Sequence, residues 1–322
     1  MRYKVPHKIK QFLFVLIKLG IVVGAFYFIY SKVVGNQDLE FNKFVGFLKE
    51  NDVFSLKNSI ILMLLSTFNW FLEILKWKHL VNIVKPISIK LALEQSLGAL
   101  TASLVTPNRI GDYGAKAMYY TKTLRTKIVL LNLLGNMAQM TITTVLGGIG
   151  FIIFINQYSI DINLYKITAA GLFLFVIGLL VLLSIKQKRF KIKGFSFTAI
   201  INFTKSLALK VHGLNLLLSL ARYLIFSFQF YYLLAVFGVA INYYDAMVAI
   251  TSIYLLASIV PTISIFDVVV KGSIAVFLFN YLDVNEFSIL ATTSLMWLLN
   301  FVIPSIFGSY FVLNFRLPKP VE

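Results

Sequence analysis

Six stretches of this chain are each long and apolar enough to cross a lipid bilayer, and that limits the fold more than any other feature. A helix needs about 20 mostly apolar residues to span a hydrocarbon core ~30 Å thick. Such runs occupy residues 12–34, 59–81, 128–155, 167–185, 214–239 and 287–315. Inside hydrocarbon every backbone N–H and C=O must be satisfied within the segment, which selects helices. The sequence therefore predicts an all-α polytopic membrane protein. Composition agrees, with 59% hydrophobic and 13% charged residues against roughly 45–50% and about 25% in soluble domains. The first run follows Arg2, Lys4, Lys8 and Lys10 as in a signal peptide, but it is too long and lacks a small-residue cleavage site. It is expected to remain as an anchor.

Charge and rare residues narrow the function. Thirty Lys and Arg against thirteen Asp and Glu leave +17, which suits the anionic inner face of a bacterial membrane. A nucleic-acid binder would carry its basic residues on a water-facing module, and none is visible. Zero cysteines exclude disulfides, zinc–thiolate and iron–sulfur sites, and thiol catalysis. His7, His79 and His212 have no paired metal-ligand spacing. No cofactor and no metal are expected.

Two further apolar stretches, 91–121 and 246–281, are interrupted near their middles by charge and by Pro107 or Pro261. Each reads either as one distorted span or as a re-entrant hairpin of two half-helices. Lys and Arg accumulate at the cytoplasmic ends of spans. If both stretches dip in and return, cytoplasmic segments collect 21 of the 30 basic residues. If both cross, the basic run 186–193 and the cluster at 116–127 face outward. Re-entry is therefore expected for both, giving about six full spans plus two broken-helix hairpins, with both termini cytoplasmic. Residues 36–57 and 194–210 read as short amphipathic surface segments.

The chain also aligns with itself. At an offset of 155, SLVTPNRIGDYGAK (103–116) meets SIVPTISIFDVVVK (258–271) without a gap, matching Ser103/Ser258, Val105/Val260, Ile110/Ile265, Asp112/Asp267 and Lys116/Lys271. With the expected orientation this is an inverted-topology repeat, an architecture that many transporters use and that enzymes can also contain. One membrane domain over 1–322 then divides into an N-terminal span and outer segment (1–58), a first unit (59–155), a linking span and basic loop (156–213) and a second unit (214–316).

The candidate site residues lie in and around the broken helices. Asp112 and Asp267 open the second half-helices, where they are expected to cap backbone amides and pair with Lys116 and Lys271. Those pairs serve helix stability alone in one reading. In the other, a helix N-terminus with nearby cations receives an anion. Asn108, Arg109 and Gly111 sit in the first break, TPNRIGD. Arg109 has no carboxylate four residues away, which suits a guanidinium fork onto phosphate. Arg222, inside the fifth span, is either functional or snorkels to the interface. Glu73 can neutralise either arginine or Lys76. Gly147, Gly148 and Gly150 read as close helix packing, as do Gly20 and Gly24. Asn132, Asn136 and Gln139, at helical spacing, can hydrogen-bond a polar ligand but read first as helix braces, and the tyrosines and tryptophans as mostly belt or core.

At LGALTASLVTPNRIGDYGAKAMYY, supported by FLEILKWKHLV and LARYLIFSFQFYYLLAVFGV, the chain resembles the lysylphosphatidylglycerol synthase transmembrane-region family, the flippase-like domain proteins. The resemblance implies an integral-membrane lipid translocator moving modified phosphatidylglycerol or other anionic or isoprenoid lipids between leaflets, or the lipid-handling part of a larger lipid-modifying enzyme. The aminoacyl-transferring domain of the synthases has no counterpart in this sequence. The expectation is a non-enzymatic transporter of the bacterial cytoplasmic membrane, with an anionic lipid headgroup and the bilayer as partners and a lipid-synthesising enzyme as a further candidate partner. The alternatives are an intramembrane lipid-modifying enzyme, with Glu73 and Asp112 as its acid and base, or an accessory subunit of a lipid synthase. The second break, PTISIFD, places Phe266 where the first has Gly111, so the second hairpin is expected to gate or scaffold.

Overall fold

A computed structural model of the chain describes residues 41–104, 106, 109–158, 197–260 and 267–317, and every regular element among them is helical. The elements are α1 (Phe41–Glu50), α2 (Leu56–Val81), α3 (Ile89–Ser103), α4 (Gly111–Met118), α5 (Lys122–Gln157), α6 (Phe197–Ser206), α7 (Leu209–Val236), α8 (Tyr243–Ile259), α9 (Asp267–Asn280) and α10 (Glu286–Trp297). A π-helical turn at Leu298–Val302 then leads into α11 (Ile303–Asn314). Polar residues at chain turns set several starts. Ser55, Ser88 and Asn242 each accept a hydrogen bond from a backbone N–H three residues on, supplying partners that first-turn amides lack.

Among the described residues, four helices are long and apolar enough to cross a membrane: α2, α5, α7 and the continuous Glu286–Asn314 segment. They coincide with the expected spans at 59–81, 128–155, 214–239 and 287–315. The expected spans at 12–34 and 167–185 lie outside the described residues, as do Gly20 and Gly24. The two amphipathic surface segments contain α1 and α6. Both interrupted stretches are broken into two helices, α3–α4 and α8–α9. At 1.5 Å per residue these pieces are about 12 to 26 Å long, too short to cross a ~30 Å core individually. Pro107 and Pro261, expected at the breaks, lie outside the described residues.

Two buried clusters show where the pieces begin and end. One holds Trp77 and Val81 from the end of α2, Ala92 from the start of α3, Ala117 from the end of α4 and Ile128 from the start of α5. The other holds Leu62 from the start of α2, Phe154 from the end of α5, Ala246 from the start of α8, Phe279 from the end of α9 and Ile289 from the start of α10. The α3–α4 stretch thus leaves and returns to the first cluster, and α8–α9 leaves and returns to the second. Helices α2 and α5 run between the clusters in opposite directions.

The main helix contacts pair α2 with α7, α3 with α11 and α5 with α8. Small residues permit the last two. A Cβ added at Gly308 would strike the Leu97 carbonyl and Thr101 of α3, and one at Gly150 would strike Thr251 of α8. Gly147 likewise lies against α8, where an added Cβ would come 2.6 Å from the Leu255 Cβ. Gly147 and Gly150 therefore serve close backbone approach, as their sequence context suggested, whereas Gly148 has nothing within 4 Å of an added Cβ.

Candidate functional site

The two broken stretches meet around a cavity of about 680 Å³ lined by Glu73 of α2, Arg109 and Asp112 of the first break, Lys116 of α4, Arg222 of α7, and Asp267 and Lys271 of α9. Residues more than 150 positions apart thereby share one polar space. An adjoining chamber of about 270 Å³ shares Arg109, Arg222, Asp267 and Lys271 with it and adds Asn69, Gln139 and Asn300. Four cations and three carboxylates line the main cavity.

Each carboxylate already has a cation. Glu73 Oε2 lies 2.7 Å from both Lys76 Nζ and Arg222 Nη1. Arg222 therefore does not snorkel to the interface; its Nε donates to Asn69 Oδ1 at 3.0 Å, and the side chain turns inward. Asp112 accepts from Lys116 Nζ at 3.2 Å and from Asn132 Nδ2 at 2.6 Å, while Lys116 also donates to Asn132 Oδ1 at 2.9 Å. Trp77 backs this triad, with its ring 4.5 Å from Lys116 Nζ. Asn132 thus braces a charged pair as well as a helix. Asp267 accepts from Lys271 at 2.8 Å, and this second pair is more open, at 23% and 29% side-chain exposure. Two cations share Glu73, so the cluster carries surplus positive charge even before Arg109 is counted.

Arg109 is the unmatched member. Among the described residues no carboxylate comes within ion-pair distance of it, and its Nε is buried without a hydrogen-bond partner. Its backbone sits at φ 55°, a left-handed conformation that is unfavourable for a long side chain and is found where surrounding structure enforces it. The local turn shows how. Thr106 Oγ1 accepts from the Gly111 N–H at 2.9 Å, and the Arg109 N–H reaches the Thr106 carbonyl at 3.3 Å. The amide cap expected of Asp112 is therefore supplied by Thr106, and the Asp112 carboxylate is directed to Lys116 and Asn132 instead. Gly111 does not line the cavity. A Cβ there would lie 2.8 Å from the Ala102 carbonyl, so its glycine identity lets the turn close on α3. Asn108 lies outside the described residues.

A feature with no forecast from the sequence lies opposite. Pro304 has no N–H to return to Asn300, four residues earlier. The Asn300 carbonyl instead accepts the Trp70 indole N–H at 3.0 Å. The Ile303 N–H reaches back five residues to Leu298, producing the π turn that disturbs helical phase. Asn300 bonds Asn69 and Gln229 at 2.9 Å each, and Gln229 continues to Ser66 at 2.8 Å. Phe301 projects into the cavity wall, its ring centroid 5.3 Å from Arg109 Cζ and 5.6 Å from Lys271 Nζ. Pro304 was the one legible clue. Trp70 and Trp77, read as belt or core, are core residues that also serve the site, Trp70 by lining the cavity and Trp77 by underlying Lys116.

Among the described residues no three His, Cys, Asp or Glu side chains gather as a metal site. The arrangement is suited to holding an anion: buried cations, surplus positive charge, and one guanidinium with unused donors. No curated protein and no solved structure is significantly similar to the chain. Residues 15–308 match the family described as Lysylphosphatidylglycerol synthase TM region, so this is an integral membrane protein of a membrane-lipid-related family: the chain belongs to the lysylphosphatidylglycerol synthase TM-region family.

Proposed function

We propose that the protein moves an anionic phospholipid or isoprenoid-phosphate-type lipid between the leaflets of the bacterial cytoplasmic membrane. The observation that carries this reading is the unpaired guanidinium of Arg109, its Nε buried without a partner, in a cation-rich cavity walled by both broken stretches. A headgroup phosphate there accepts from Arg109 and draws on Arg222 and Lys271, while the tail stays in the bilayer. Rocking of one unit against the other then opens the seat to each side alternately.

Several features support the inverted repeat this requires. Each broken stretch begins and ends at one buried cluster, and the two stretches use opposite clusters. Positions aligned at offset 155 make matching bonds: Lys116 to Asp112 and Lys271 to Asp267, and the hydroxyls of Ser103 and Ser258 to carbonyls three residues earlier. Exchanging the two units also exchanges the α3–α11 contact for the α8–α5 contact, each seated on a glycine. Sidedness follows from charge. Lys85, Lys90, Lys122, Arg125, Lys127 and Arg316 lie around the first cluster's end, against Lys49 and Lys57 with Asp52, Asp245, Asp283 and Glu286 around the other, a bias that supports a cytoplasmic first end.

A lipid-modifying enzyme is the less favoured reading, because Glu73 and Asp112, the acid–base pair that the sequence offers, are each already engaged by cations. A lipid-synthesising enzyme is the partner that would supply the substrate. The test is transbilayer movement of tail-labelled phosphatidylglycerol in phosphatidylcholine proteoliposomes, read by dithionite quenching. Wild type is expected to expose the label on both leaflets, and Arg109→Ala to fall to the protein-free rate while remaining monodisperse and membrane-inserted. Equal rates in the two proteins, at any level, would contradict the proposal.

A further inference from the structure

Among the described residues, the Phe301 ring lies close to a cation from each broken stretch. Arg109 Cζ is 5.3 Å and Lys271 Nζ 5.6 Å from its ring centroid, both within the ~6 Å over which a ring face attracts a cation. The two charges therefore lie within about 11 Å of each other with the ring as their common neighbour. The ring also lines the main cavity, the adjoining chamber and a small apolar cleft beneath Lys271. Its position depends on the π turn, which Pro304 and the Trp70–Asn300 bond sustain. Irregular turns of this kind recur at functional sites.

The physical need for such a residue is clear. Arg109 has no carboxylate partner among the described residues, and Lys271 has Asp267 alone. Long cationic side chains without fixed partners lose rotamer entropy when a ligand orders them. A cation resting on an aromatic face keeps its remaining N–H groups available to an anion. We propose that Phe301 is a positioning residue that orients Arg109 and Lys271 toward the cavity, so that a headgroup phosphate is received jointly by both broken stretches. This rests on the translocation reading and adds to it that the seat is preorganised by a π face from the last span. Phe301 itself touches no phosphate oxygen.

The test separates ring electrostatics from ring bulk. In the phosphatidylglycerol proteoliposome assay, Phe301→Leu is expected to slow translocation roughly 2- to 30-fold, the range from an exposed to a desolvated cation–π contact. Replacing Phe301 by mono-, di- and trifluorophenylalanine keeps the shape nearly constant while weakening the ring face stepwise. The rate is expected to fall stepwise along that series, whereas Phe301→Tyr, which keeps the π face, is expected to stay near wild type. A flat fluorination series would overturn the proposal, whether or not Phe301→Leu is active or even folds. If Arg109→Ala loses translocation while the series is flat, only the role of Phe301 fails. If Arg109→Ala also equals wild type, the translocation reading itself fails.

Discussion

Glu73 shows how much of the site rests on single side chains. It holds Lys76, which is only 3% exposed, and Arg222 through one carboxylate oxygen. Removing one partner of a buried ionic cluster leaves charges that nothing compensates. Glu73→Leu is expected to destabilise the fold by roughly 3–5 kcal/mol, seen as loss of monodisperse protein at elevated temperature in detergent. Full thermal stability of that variant would contradict the ion-pair assignment. Asn132→Leu tests the other cluster. It leaves Asp112 and Lys116 paired but removes the amide that bonds both, and a loss of about 1–3 kcal/mol is expected. At this scale the sequence was partly legible. The spacing of Asp112 with Lys116 and of Asp267 with Lys271 reads directly as ion pairs, because i,i+4 neighbours share a helix face. The choice of Glu73 for Arg222 rather than Arg109 was not legible, since it depends on how α2 packs on α7 across some 150 residues.

At the scale of elements, glycine and proline carry the information. Gly148 and Gly150 are two residues apart in α5, yet an added Cβ meets nothing within 4 Å at the first and strikes Thr251 at the second. Gly150→Val is expected to cost 1–3 kcal/mol or more through forced separation of α5 and α8, and Gly148→Val to be tolerated, as a paired comparison of melting temperatures will show. Equal melting temperatures would contradict the packing of α5 on α8. Pro304→Ala restores an N–H that competes with the Trp70 indole for the Asn300 carbonyl. The expected result is a regular helix in place of the π turn, altered Trp70 fluorescence and slower translocation. Unchanged fluorescence would mean that the turn does not depend on the missing donor. The long spans and the two breaks were visible in the sequence because length and hydropathy determine them. The π turn was not, because a proline in an apolar helix is compatible with a kink, a bulge or no distortion at all.

For the whole molecule, the decisive feature of the proposed mechanism is that the broken stretches return to opposite ends of the bundle. The chain's register against itself and its uneven charge support this reading, and the two buried clusters are compatible with it. The bond between Gln157 at the end of α5 and Asp245 at the start of α8, 2.7 Å long, places the start of α8 beside the far end of α5. That helix is 36 residues long, about 54 Å at 1.5 Å per residue. In the proposed inverted repeat, Thr123, at the other end of α5, lies across the bilayer from Asn242. The sequence could not reveal that the stretches converge on Phe301, because that meeting point belongs to the last span and to neither stretch.

The absence of native cysteine makes this arrangement directly measurable. Thr123→Cys and Asn242→Cys, introduced singly, are exposed to a membrane-impermeant thiol reagent in intact cells. The account predicts that Asn242→Cys is labelled and that Thr123→Cys is protected until the membrane is permeabilised. Equal accessibility of the two positions would contradict the opposed hairpins on which the anion seat depends, and reversed labelling would contradict the assigned sidedness.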